Sequence, residues 1–224
     1  MTFSLVARCA RTGRFGMVIS SSSPAVAARC VHLRSGIGAV ASQNVTDPGL
    51  GPLVLEALAR GLPAAEALAS VTTGRAHIDY RQVLVVDGTG GVAIHSGRQV
   101  LGLWAEAKGM DCAAGGNLLA DTRVPAAMVA AFEGAAGDLG DRLIAALQAG
   151  LAAGGEAGPV HSAGMQIMGA RAWPEADLRC DWTEACPIAA VAEAWAVYKP
   201  QLPAYLQRAD DPTQAPSYGV PGDQ

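Results

Sequence analysis

The sequence predicts an α+β fold in which two antiparallel sheets face each other and helices cover their outer sides. Three observations lead there. Short apolar runs of strand length come in pairs joined by tight turns, at residues 2–23 and 81–96. Stretches with helical periodicity are grouped at 53–71, 123–153 and 188–198, set apart from the strand pairs. No internal repeat or linker-like break divides the chain. A single domain over residues 1–210 is therefore expected, with a polar, Pro/Gly-rich tail over 211–224.

The elements follow in order. Residues 2–10 and 14–23 form a hairpin about Thr12-Gly13, with Phe3, Leu5 and Val6 facing Met17, Val18 and Ile19 as β-prone core residues. Residues 36–42 make a third strand whose small side chains allow close packing. Asp47-Pro48-Gly49 is a turn, and a helix follows through Leu53–Leu58 to Gly61. Pro63 opens another helix that ends near Val71. Residues 81–87 and 91–96 pair about Asp87-Gly88-Thr89-Gly90, and Gly115-Gly116-Asn117 reads as a loop or tight bend. Arg123–Glu133, with Pro125 near its start, and Leu139–Ala153, capped by Asp138 and stopped by Gly154-Gly155, are helices. Residues 162–168 form a strand, Leu178–Trp182 an edge strand, and Ile188–Tyr198 a last amphipathic helix stopped by Pro200.

Composition narrows the function. The 224 residues are 50% hydrophobic and 16% charged, with a net charge of -4, which suits a well-buried globule. The basic residues are scattered, so nucleic acid and anionic membranes are poor partners. Lysine occurs only at positions 108 and 199, which removes it from most catalytic roles. The start of the chain has no basic region followed by a long apolar run, and no stretch reaches the ~18 apolar residues of a membrane helix. A cytoplasmic protein is expected. Cys9, Cys30, Cys112, Cys180 and Cys186 form no CxxC pair and read as small hydrophobes in a reducing compartment. A high apolar fraction beside low charge points to a homodimer.

Thr2 is the leading candidate for chemistry. Methionine before a small residue is normally trimmed, which leaves threonine at the N-terminus. There its α-amine, with a pKa of roughly 7.7–8, accepts the hydroxyl proton and activates the side chain as a nucleophile. A position at the start of a core strand would hold it rigidly. As a plain strand starter, Thr2 would need no such role. Asn117 is the best side-chain donor to a developing oxyanion, and it suits a left-handed turn equally well. Gln43 and Asn44, at a strand end, are further polar candidates or simple caps. Ser21, within Ser20–Ser23, fits a pocket floor or a loop. Arg8 and Arg81 flank strands and are placed to clamp a carboxylate, although salt bridges are the commoner fate of arginine. His32, His77, His95 and His161 lack metal-ligand spacing. His161-Ser162-Ala163-Gly164 misses the nucleophile elbow at Val160, and no phosphate loop follows Gly154-Gly155. No metal and no cofactor are expected.

Several stretches carry a family resemblance. They are Met1–Arg8, Gly36–Gln43, Arg81-Gln82-Val83, Gly116-Asn117-Leu118-Leu119, and Arg142-Leu143 leading into Ala153-Gly154-Gly155. Through them the chain resembles the bacterial domain-of-unknown-function family 1028. The resemblance implies the N-terminal-nucleophile (Ntn) hydrolase fold, a four-layer αββα sandwich. The chain departs from the family pattern after Gly154-Gly155. Glu156 keeps a carboxylate there, but the usual basic residues are missing and His161 replaces an amide. Two functions stay open: an Ntn-type amidohydrolase acting on a small amide or peptide-like bond, or a catalytically silent Ntn-fold protein that binds a small metabolite or assembles into oligomers.

Overall fold

The computed structural model describes residues 1–220. Its ten strands are β1 (Thr2–Arg8), β2 (Phe15–Ser21), β3 (Val31–Arg34), β4 (Gly38–Asn44), β5 (Arg81–Asp87), β6 (Val92–Ser96), β7 (Ala105–Gly109), β8 (Cys112–Asn117), β9 (Ser162–Met168) and β10 (Ala176–Cys180). They form a six-stranded sheet in the order β10-β9-β2-β1-β8-β7 and a four-stranded sheet in the order β3-β4-β5-β6. All pairings are antiparallel. The helices are α1 (Val26–Cys30), α2 (Leu50–Ala59), α3 (Ala64–Thr72), α4 (Val124–Gly134), α5 (Leu139–Ala152), α6 (Pro187–Tyr198) and α7 (Leu202–Asp210).

Strand periodicity sorts the side chains into three apolar layers. Phe3, Leu5 and Ala7 of β1 point away from the smaller sheet and pack with Met128 and Phe132 of α4 and Leu143 and Leu147 of α5. Val6 points the other way, into a layer between the sheets with Phe15, Met17, Ile19, Ala39, Ala41, Leu84 and Val86. Val40, Val83 and Val85 face α2 and α3. Each sheet thus carries helices on its outer face.

The layer between the sheets changes character along its length. Near the β1–β2 turn it is apolar. At the opposite end the residues on the same alternation are Thr2, Ser4, Ser21, Gln43, Gln82 and Asn117, all buried. Buried amides and hydroxyls are costly unless they find partners, so this end must be organised as a network.

Four features depart from the sequence reading. Gly115-Gly116-Asn117 is no bend but the end of β8, beside the central strand β1. Two glycines sit there because the packing is close. A Cβ on Gly115 would lie 3.3 Å from Leu84, and one on Gly116 would lie 2.6 Å from Leu119. Asn117 accordingly does not take a left-handed turn, and Leu118 does, at φ 50°. The strand expected at 36–42 begins at Gly38, because Gly36 is the left-handed turn residue at φ 69°, and it runs on to Asn44. Elements α1, β3, β7 and α7 were not anticipated. Pro200 ends α6, but Leu202 and Leu206 are buried and carry α7 beyond it. Of the expected tail, residues up to 218 fold back on α7, with Arg208 over the Tyr218 ring at 3.6 Å. Residues 221–224 of that tail lie outside the described residues. No helix of the described residues is long and apolar enough to cross a membrane, and all five thiols are free.

Candidate functional site

Thr2 opens β1, between β2 and β8, and is 6% exposed. Its neighbours on the same face are set by register: Asn117 lies directly opposite on β8, and Ser21 ends β2. The Thr2 Oγ1 lies 3.4 Å from the Ser21 Oγ. Both hydroxyls also converge on the carbonyl oxygen of Met1 as donors. The Ser23 N–H donates to the Ser21 Oγ at 3.0 Å and fixes that hydroxyl's lone pairs.

Deeper in, an amide relay bridges the two sheets. Ser4 donates to Gln43 Oε1 at 2.6 Å, and Gln43 Nε2 donates to Gln82 Oε1 at 2.8 Å and to the Gly115 carbonyl at 3.2 Å. Gln82 Nε2 donates onward to Ser96 Oγ at 3.1 Å, and Ser96 donates to Glu106 at 2.7 Å. Asn117 joins loosely, with Nδ2 at 3.4 Å from Gln82 Oε1. Its Oδ1 is buried and finds no partner among the described residues. The Asn117 amide thus has one weak donor contact and one unpaired buried oxygen, on the face it shares with the Thr2 hydroxyl.

Glu156 completes the surroundings. Gly154 and Gly155, at φ 126° and 58°, turn the chain out of α5 in conformations that a Cβ would strain. Glu156 then pairs with Leu119 in an isolated bridge. The Ser22 N–H donates to both carboxylate oxygens, at 3.0 and 3.2 Å. The side chain is 5% exposed, and burial pushes its pKa up to about 7, against the opposing pull of the nearby N-terminal ammonium. The Met1 methyl reaches the same loop, 3.5 Å from where a Cβ of Gly158 would stand. His161 lies along this loop with Nδ1 fixed to the Thr183 carbonyl at 2.9 Å and its ring stacked on Trp182 at 4.4 Å. Among the described residues no group of three His, Cys, Asp or Glu side chains is placed to hold a metal ion.

With this geometry in hand, the chain can be set beside known proteins. The model of a family of unknown function, DUF1028, matches residues 2–191. The chain belongs to this family. A crystal structure of another DUF1028 protein, SPO2555 from Silicibacter pomeroyi, superposes with a TM-score of 0.82 at 28% identity, covering 88% of this chain and 89% of that one. Anbu (ancestral beta-subunit) from Yersinia bercovieri aligns over 91% of this chain and 97% of its own at 10% identity, with a TM-score of only 0.40. None of the curated proteins matches.

In this DUF1028 chain the other expected site residues are dispersed. Asn44, at φ 72°, serves the neighbouring loops: its Nδ2 donates to the Tyr80 carbonyl at 2.6 Å, and its Oδ1 accepts from Leu101 N–H at 3.3 Å. Arg81 is occupied by the Val45 carbonyl. Arg8 sits at the far end of β1, roughly 20 Å from Thr2 at about 3.3 Å per residue, and is paired with Asp111 at 3.0 Å. The chain therefore gathers Thr2, Ser21, Asn117 and, through Gln82, Gln43. It leaves Arg8 elsewhere. Gln82 and Ser4 were missed by the sequence reading. The available signal was a glutamine and a serine on the inward alternation of otherwise apolar strands.

Proposed function

We propose that this protein is an amidohydrolase of the N-terminal-nucleophile type, active on a small amide or peptide-like bond once Met1 has been removed, with Thr2 as nucleophile. The order helix, sheet, sheet, helix supports reading the fold as the αββα sandwich of those enzymes. One observation carries the proposal. Thr2 is the first residue of a central strand, and its hydroxyl is buried at the polar end of the inter-sheet layer, beside Ser21 and opposite Asn117.

Removal of Met1 deletes the carbonyl on which the two hydroxyls converge and frees the α-amine of Thr2. The amine accepts the Oγ1 proton as that oxygen attacks the substrate carbonyl. The amide C–N bond then breaks, the proton leaves with the departing nitrogen, and water hydrolyses the Thr2 ester to restore the hydroxyl. Asn117 Nδ2, released from its 3.4 Å contact with Gln82, stabilises the oxyanion. Glu156, whose carboxyl pKa burial pushes up to about 7, lies in the neighbouring loop and is held by the Ser22 N–H.

A second reading rests on the same place. While Met1 persists, its carbonyl fills the space between Thr2 and Ser21, and the fold is catalytically silent. An acylating β-lactone probe separates the two. Met1-free protein should be labelled, and both Met1-retaining protein and Met1-free Thr2→Ala should stay unlabelled. Equal labelling of all three forms, or of none, would overturn the hydrolase reading.

A further inference from the structure

At the opposite end of β1 lies a cavity of about 400 Å³ lined by Arg8, Ala10, Met110, Asp111, Glu133 and Arg142. Its size falls in the range of about 300–1,000 Å³ typical of small-molecule sites. Four of its six residues are charged, and they are not equivalent. Arg8 and Asp111 neutralise each other at 3.0 Å, and the Arg8 N–H also donates to the Asp111 carbonyl at 2.8 Å.

Arg142 and Glu133 behave differently. The Arg142 guanidinium lies over the Phe132 ring, 4.0 Å from its centroid, and its Nε donates to the Phe132 carbonyl at 3.0 Å. These contacts fix its plane and leave both terminal nitrogens without an acceptor among the described residues. Glu133 accepts the Met110 N–H on Oε1 at 2.7 Å, and no described donor meets its Oε2. Although the two come from adjacent helices, α4 and α5, they do not pair with each other. Each is anchored through backbone, and with Glu133 exposed and Arg142 half-buried, a planar two-donor edge on Arg142 and a carboxylate oxygen on Glu133 face the open cavity.

We propose that this cavity binds a zwitterion of the α-amino-acid class, with its carboxylate on the Arg142 edge and its ammonium on Glu133. A guanidinium edge matches a carboxylate in bidentate geometry. Ala10 and Met110, both exposed, line the open side of the cavity and offer contact to an apolar side chain, so leucine and methionine are the probes. A simple anion would meet the Glu133 charge, and a simple cation the Arg142 charge. Only a ligand that carries both signs satisfies both groups. The site is separate from Thr2 and stands whether or not Thr2 is a nucleophile.

Isothermal titration calorimetry on the full chain tests this. L-Leucine should bind, and both N-acetyl-L-leucine and L-leucinamide should bind at least about tenfold more weakly, since each lacks one charge-assisted contact. Arg142→Met keeps an unbranched side chain of similar reach, removes the guanidinium and should abolish leucine binding. Glu133→Gln keeps the acceptor for Met110 and should erase the preference for leucine over N-acetyl-leucine. The two analogue arms need no variant, so a folding defect cannot mimic the result. No heat with L-leucine or L-methionine at millimolar concentration would overturn the proposal, as would equal binding of either analogue.

Discussion

Glu156→Gln should make the Met1-retaining protein more stable, and only at high pH. The Glu156 carboxyl is 5% exposed, and burial raises its pKa from 4.5 to about 7. Between those values the folded state holds a proton that the unfolded state releases, so stability falls as pH rises. At about 1.4 kcal/mol per pH unit, the loss approaches about 3 kcal/mol above pH 7. Glutamine keeps an oxygen for the Ser22 N–H and has nothing to ionise. The two proteins should therefore melt together near pH 4.5 and diverge through pH 7. In a chain of this size about 3 kcal/mol corresponds to a rise of roughly 6–12 °C in Tm. Calorimetry of both proteins from pH 4.5 to 8.5 reads the difference directly. A gap independent of pH, or a wild type that is the more stable at pH 8.5, would refute the reasoning. The latter result would mean that the N-terminal ammonium, not burial, governs this carboxyl.

Three further outcomes are expected. In Met1-free protein, Asn117→Ala should slow β-lactone labelling by roughly 10²–10³-fold if Asn117 is the oxyanion donor, measured as a pseudo-first-order rate; an unchanged rate removes it from that role. Asp87 accepts from Ala64 N–H, Thr89 N–H, the Thr89 hydroxyl and Gly91 N–H at 2.7–2.9 Å; Asp87→Ala should cost about 2–4 kcal/mol in urea unfolding. Burial opposes the Asp87 charge, but the donors from Thr89, Ala64 and Gly91 outweigh it and hold its pKa below the ordinary 3.8, so its stabilisation is present above pH 3.8 and fades as pH falls below that. Sedimentation at micromolar concentration should give about twice the 22.8 kDa chain mass, since Leu101, Leu103, Trp104 and Val197 are among the apolar side chains left exposed; a stable monomer would refute the proposed dimer.

The strand pairs about Thr12-Gly13 and Asp87–Gly90 were legible because period-two apolar runs and turn residues are local signals. The capping of α5 by Asp138 was legible for the same reason. Gly115 and Gly116 were misread because glycine normally weakens a strand, and its use here depends on Leu84 and Leu119, residues that touch it only in the folded chain. Strand β7, Ala105–Gly109, lies at a sheet edge with Glu106 and Lys108 exposed and so lacks a core strand's composition. At the site, Thr2 announced itself by position. The placing of Asn117 opposite it is a matter of register, and the relay through Gln82 and the burial of Glu156 arise from contacts across 35 and 134 residues. Arg8 shares a strand with Thr2, and the same extended geometry that fixes Thr2 carries Arg8 to the other end of the sheet.

The central claim is that a free Thr2 is the reactive group at the polar end of the inter-sheet layer. Tandem mass spectrometry of β-lactone-treated, Met1-free protein tests it most directly, because it reports which atom group carries the adduct. The account predicts one acyl adduct on the N-terminal peptide, on Thr2, lost in Thr2→Ala and partly kept in Thr2→Ser. An adduct on Ser21 or on a cysteine with Thr2 unmodified, or an unmodified Met1-free chain, would contradict it.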